Sequence, residues 1–170
     1  METEYILLAL LIVIALYQDL KKGKIPNKLT YSAMLVGLGY HLIINGLSGL
    51  VFSLAGITVG FVVFILLYLI GAVGAGDVKL FAAIGSLTGI EFVLYCSMYS
   101  IIYAGIIGII IIIVRKEFFI RTSNIFRYLT NLIIFFKVTN MKSLKNKKSL
   151  TFPFMYAVLP AVITTWYLSI

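Results

Sequence analysis

This sequence predicts an all-α, polytopic membrane protein, and three observations lead there. Of its 170 residues 62% are hydrophobic and 12% charged, whereas a soluble domain is about half apolar and about a quarter charged. The mean hydropathy is +1.10. The apolar residues fall into runs of helical-span length, with the charges collected between them.

The first run, Tyr5 to Tyr17, closes on Gln18 and Asp19. It begins with Glu2 and Glu4 rather than a basic segment, and no small-residue cleavage site follows. It therefore reads as a retained span over about 2–20, not a secretory signal. Lys21-Lys22-Gly23-Lys24-Ile25-Pro26-Asn27-Lys28 is a basic turn. Pro26 keeps Ile25 out of the α region, and Asn27 is a suitable cap for the next helix. That helix is expected over 29–44, and a third, uncharged one over 50–70. Gly74-Ala75-Gly76-Asp77 interrupts the apolar pattern. A short fourth span is expected over 78–90, and Glu91 marks the turn into a fifth over 92–114.

From Arg115 the composition changes. Phe118, Ile125, Leu129, Leu132, Ile133 and Phe136 recur at spacings near three and four, with Arg121, Asn124, Arg127 and Asn131 between them. This pattern suits a helix lying in the membrane interface. A basic linker completes the 115–148 segment, and a sixth span over 151–170 contains Pro153 and Pro160. The whole chain, 1–170, is expected to be one membrane domain.

Six spans put all fourteen Lys and Arg residues on one face. By the positive-inside rule that face is the cytoplasm, and both termini lie outside. The net charge of +8 is thus a topology signal, and no nucleic-acid partner is expected. The single cysteine, Cys96, reads as a small buried apolar residue. No His/Cys cluster exists to hold a metal, and no cofactor is expected.

Of the six acidic residues, Asp19 and Asp77 are the two expected at the same depth on the same side. An ionisable residue between apolar spans is costly and usually functional. Two carboxylates at close range do not both ionise readily, so they share a proton. One can then deprotonate water while the other polarises an amide carbonyl. As alternatives, each aspartate caps a helix or pairs with a lysine.

The extended motif Gly74-Ala75-Gly76-Asp77-Val78-Lys79-Leu80, together with Asp19 and the downstream Ile25-Pro26-Asn27, resembles the type IV prepilin peptidases. The tetrapeptide itself resembles the GxGD signature of intramembrane aspartyl proteases. The resemblance runs from the first span to Pro153. It implies that Asp19 and Asp77 form a catalytic pair. It also implies that the substrate is a type IV pilin-like precursor sharing the bilayer, whose short basic leader is removed just after a glycine. Larger bacterial members carry a further cytoplasmic domain with paired CxxC motifs and methylate the new N-terminus. Here Asp19 lies close to the start and the CxxC cysteines are missing, so neither feature is expected. The short form is similar to peptidases serving tight-adherence pili, competence-type systems or archaeal pilins and preflagellins.

Gly74 and Gly76 are expected either to leave backbone groups free for an extended substrate or to pack helices closely. Lys79 is expected to stabilise Asp77, to bind a substrate carbonyl, or to snorkel to the headgroups. Pro26 and Asn27 are expected to shape the turn that positions Asp19, and His41 to be an interface residue on the far side. Two other functions fit the composition: a small transporter or proton pathway relaying through the aspartates, and a non-catalytic assembly factor. Transporter sites, however, favour the midplane and inverted repeats, and no repeat is visible.

Overall fold

The computed structural model describes residues 2–114 and 154–169. The interfacial helix expected over 118–136, the basic linker and Pro153 lie outside the described residues. Four helices account for nearly everything described: α1 (Glu2–Lys22), α2 (Asn27–Leu69), α3 (Ala75–Val114) and α4 (Met155–Ser169). No strand occurs among the described residues. Among the described residues, 2–104 and 154–169 form one compact unit. The end of α3, 105–114, lies outside that unit.

Three helical stretches are long and apolar enough to cross a membrane: Thr3–Lys21, Asn27–Leu69 and Ala75–Ile111. The second has 43 residues, which as one straight helix would measure about 65 Å, twice the roughly 30 Å of a hydrocarbon core. It is not straight. Gly46 takes φ 62° and ψ −141°, a left-handed conformation that costs a side-chain-free residue nothing. In a straight helix residues 41 and 49 would lie about 12 Å apart. Here a Cβ on Gly49 would fall on the His41 carbonyl. The chain therefore folds back on itself beyond Gly46.

Gly89, with φ 79° and ψ −172°, breaks α3 in the same manner. A break strands the carbonyls of the preceding turn, and α2 supplies their donors. Ser53 Oγ donates to the Ser86 carbonyl at 2.7 Å, and His41 Nε2 lies 2.9 Å from the Leu87 carbonyl. A carbonyl only accepts, so the proton sits on Nε2. His41 is 2% exposed, which corrects its expected place at the interface: it is a buried cap on a broken helix. His41→Leu strips the Leu87 carbonyl of its donor and is expected to cost about 1–3 kcal/mol, read as a lowered melting temperature in detergent. An unchanged melting temperature would show that the carbonyl finds another donor.

Small residues bring the second half of α2 against the start of α3. A Cβ on Gly56 would strike the Gly85 carbonyl and one on Gly85 the Gly56 carbonyl, while one on Gly60 would meet the backbone of Phe81. Beside this contact Phe64 stacks on Phe81, with ring centroids 3.6 Å apart, and Phe154 meets Phe64 edge-on at 6.0 Å. Leu8, Leu11, Ala15, Leu80, Ile84, Met155 and Val158 continue this core. Cys96 is buried and free, as its apolar reading requires.

α1 and α4 run antiparallel. Tyr5 stacks on Trp166 at one end of the pair, with centroids 5.5 Å apart. At the other end Asp19 meets the first residue of α4, Met155. The same end gathers the starts of α2 and α3, joined by a hydrogen bond between Asn27 and Lys79. The breaks at Gly46 and Gly89 belong to the opposite end, where Thr3 and Tyr40 are hydrogen-bonded.

Candidate functional site

Asp19 lies three residues before the end of α1 and is 8% exposed; Asp77, in the first turn of α3, is 9% exposed. Most carboxylates sit in water, so two buried on different helices at the same end of a bundle form an exceptional arrangement. One closes α1 and the other opens α3.

Local sequence accounts for the placement of Asp77. The Gly74 carbonyl accepts the first helical hydrogen bonds of α3, from the Asp77 and Val78 amides at 3.0 and 3.4 Å. Gly74 is thus the N-cap and Asp77 the third helical residue. The Asp77 carboxylate reaches back to accept the Gly74 N–H at 2.9 Å, half of a capping box, and the helix N-terminus suits its negative charge. The motif therefore opens the helix rather than preceding it: the span expected from residue 78 begins at Ala75. Gly76 faces Ile25, whose Cβ would lie 3.4 Å from an added methyl.

Asp19 is held differently. It sits beside the start of α4 at Met155, and its Oδ2 is buried with no hydrogen-bond partner. Asp77 is a second buried carboxylate at the same end of the bundle.

The turn between α1 and α2 clasps the start of α3. Ile25, buried, covers Gly76. Pro26, extended at φ −71° and ψ 138°, takes the cap position of α2 without a side-chain cap bond. Asn27 is the first helical residue instead of the cap. Its amide oxygen accepts from Lys79 Nζ at 2.9 Å, and Lys79 also lies over the Tyr31 ring, 5.4 Å from the centroid. The hydrogen bond of Lys79 thus goes to Asn27 and not to Asp77. It is exposed, and such bonds contribute little to stability. Asn27→Leu and Lys79→Met are each expected to cost at most about 1 kcal/mol, and the double variant no more than the larger single one. Additive losses in a thermal double-mutant cycle would show that the two side chains act separately.

The structure thus brings together Asp19, Asp77, Gly74, Gly76, Pro26, Asn27 and Lys79 around one end of the bundle. Sequence reasoning missed Met155. Pro153 near the start of the last span was the available signal: it marks a helix N-terminus, with free amides, at the depth of the aspartates. Among the described residues no group of three His, Cys, Asp or Glu side chains is arranged to hold a metal ion.

An apolar helical bundle with two buried carboxylates at one end defines the class: a membrane protein with acidic residues gathered where its helices begin and end. The chain belongs to the type IV leader peptidase family, whose model matches residues 5–113 and so includes both aspartates and the turn between α1 and α2. Membership makes it, at family level, a type IV leader peptidase-like protease of the aspartic type, with pilin-like precursors as substrates in general. Comparisons with curated proteins and with solved structures returned no match.

Proposed function

We propose that this protein is an aspartic endopeptidase that removes the leader from a type IV pilin-like precursor, with Asp19 and Asp77 as its catalytic pair. The observation that carries the proposal is the burial of two carboxylates from different helices at the same end of the bundle, one of them with an unpartnered oxygen. One carboxylate, ionised, takes a proton from water as the water oxygen attacks the scissile carbonyl carbon. The other, protonated, gives its proton to the carbonyl oxygen. The resulting gem-diol collapses as its proton passes to the leaving amine, and the C–N bond breaks. The water contributes its oxygen and both protons to the products, and no covalent intermediate forms.

The proposed setting is the cytoplasmic face of a prokaryotic plasma membrane, with six crossings, both termini outside and the site inside. The helix breaks at Gly46 and Gly89 support this count, because each divides a helix too long for one crossing. The clustering of Lys21, Lys24, Lys28 and Lys79 with the aspartates supports the orientation. The precursor's apolar helix lies among the spans, and its leader stays at the headgroups. A glycine at the cut keeps the bond extended, since a helical backbone hides its carbonyls from attack.

The test is co-expression with a pilin precursor and mass spectrometry of the pilin's new N-terminus. A cut just after glycine, blocked by carboxylate-directed inactivation of the purified protein, is the expected result. Cleavage untouched by carboxylate modification would overturn the mechanism.

A further inference from the structure

Gly71 lies outside the motif that begins at Gly74, yet its backbone governs how that motif is presented. The amide of Ala72 donates to the Leu67 carbonyl and the amide of Gly71 to the Tyr68 carbonyl, both at 2.9 Å. This pair of bonds closes α2 as a Schellman motif, with Gly71 at the position just past the cap residue Ile70. That position calls for a left-handed backbone, and Gly71 takes φ 81°. A Cβ added there would meet nothing within 4 Å. The site therefore favours glycine for its backbone and not for want of room.

Almost no chain is left between this closure and α3. Ala72 completes the Schellman motif and Gly74 is the N-cap of α3, so Val73 alone separates the two. Val73 is itself packed against the core. A link this short has no slack, so the direction in which the chain leaves Gly71 sets where the Gly74 N–H lies. That N–H donates to Asp77 Oδ2 at 2.9 Å. The end of α2 and the carboxylate that opens α3 are thus joined through a single short turn.

We infer that Gly71 is a positioning residue for Asp77, its left-handed backbone placing the Gly74 amide that fixes the carboxylate. The inference rests on the reading of Asp77 as a catalytic carboxylate. A carboxylate free to turn about its Cα–Cβ and Cβ–Cγ bonds samples many orientations toward a substrate carbonyl. One held through Oδ2 presents its other oxygen in a fixed direction. Small misplacements of a reacting group are costly: about 1 Å can cost about 100-fold in rate. Gly71 does not touch the substrate in this scheme; it acts only through Gly74 and Asp77.

Backbone preference supplies the test. A β-branched residue fits a left-handed conformation poorly, whereas asparagine tolerates it. Gly71→Val should redirect the turn and Gly71→Asn should preserve it. Gly46→Val is the control: Gly46 is also left-handed and also open around an added Cβ, but it belongs to the opposite end of the bundle. Gly71→Ala, which is less strained, replaces Gly71→Val if the valine variant does not accumulate. All are compared with wild type on a precursor that wild type cuts, with kcat and KM measured separately and melting temperature recorded. Asp77→Asn is run in parallel.

The expected result is a fall in kcat of about 10- to 100-fold in Gly71→Val with KM unchanged, and a kcat close to wild type in Gly71→Asn. Gly46→Val is expected to lower the melting temperature without that loss of kcat. A wild-type kcat in Gly71→Val, or in the alanine variant that replaces it, would overturn the inference while leaving the paired-carboxylate mechanism intact. So would an asparagine variant as slow as the valine one, or a kcat that tracks melting temperature across the Gly71 and Gly46 variants alike. Full activity of Asp77→Asn would overturn the mechanism itself, and with it this inference.

Discussion

Asp77→Asn and Asp19→Asn each lower leader cleavage by about 100- to 10,000-fold, with the protein still accumulating in the membrane. Asparagine keeps the shape of aspartate and one carbonyl oxygen, so the Gly74 amide still has an acceptor at the start of α3. What is lost is the ability to take or give a proton. A neutral amide in a buried site also carries no charge to desolvate, so the melting temperature is expected to hold or rise slightly. Mass spectrometry of the co-expressed precursor reads the activity, and membrane fractionation reads accumulation. Near-normal processing by either variant would remove that aspartate from the mechanism. Normal processing by both would make the carboxylates structural and return the protein to the assembly-factor reading.

The largest expected effect on stability comes from the close contact between α2 and α3. Gly56→Ala or Gly85→Ala sets a methyl group against the carbonyl of the facing helix. Neither side can relax by a rotamer change, because the obstacle is backbone. The helices must separate, which opens the stacked Phe64–Phe81 pair beside them. Overpacking of this kind costs about 1–3 kcal/mol, and rigid backbone neighbours place these substitutions at the upper end. The double variant should lose little more than either single one, since one separation accommodates both methyls. Gly39→Ala is the control, because an added Cβ there meets nothing within 4 Å. Thermal unfolding in detergent reads all four proteins. Equal melting temperatures for Gly56→Ala and Gly39→Ala would show that the contact is looser than the geometry requires. Asp77 lies in the same helix as Gly85, so precursor cleavage is expected to fall along with stability.

The sequence alone determined the class. Composition requires apolar helices, since isolated backbone polar groups cannot be left unbonded in lipid. Asp19 and Asp77 stand out because carboxylates are rare and costly beside apolar spans. The glycine motif announced an interruption, and the turn at Ile25-Pro26-Asn27 was readable from proline's restriction of its neighbour. These are local signals, and local physics was enough to find them.

The rest depended on which residues meet. No periodicity reveals that His41 and Ser53 serve the carbonyls freed at Gly89, because a stranded carbonyl exists only once the helix is broken and α2 lies beside it. The partner of Lys79 was equally hidden: a lysine two residues from an aspartate suggests pairing, yet the turn after α1 presents Asn27 to it instead. Likewise Met155, far from Asp19 in the chain, reaches it only because α4 packs antiparallel to α1. Sequence spacing measures distance along one helix. Contacts between helices follow from how whole apolar faces pack, and that is what the tertiary structure alone decided.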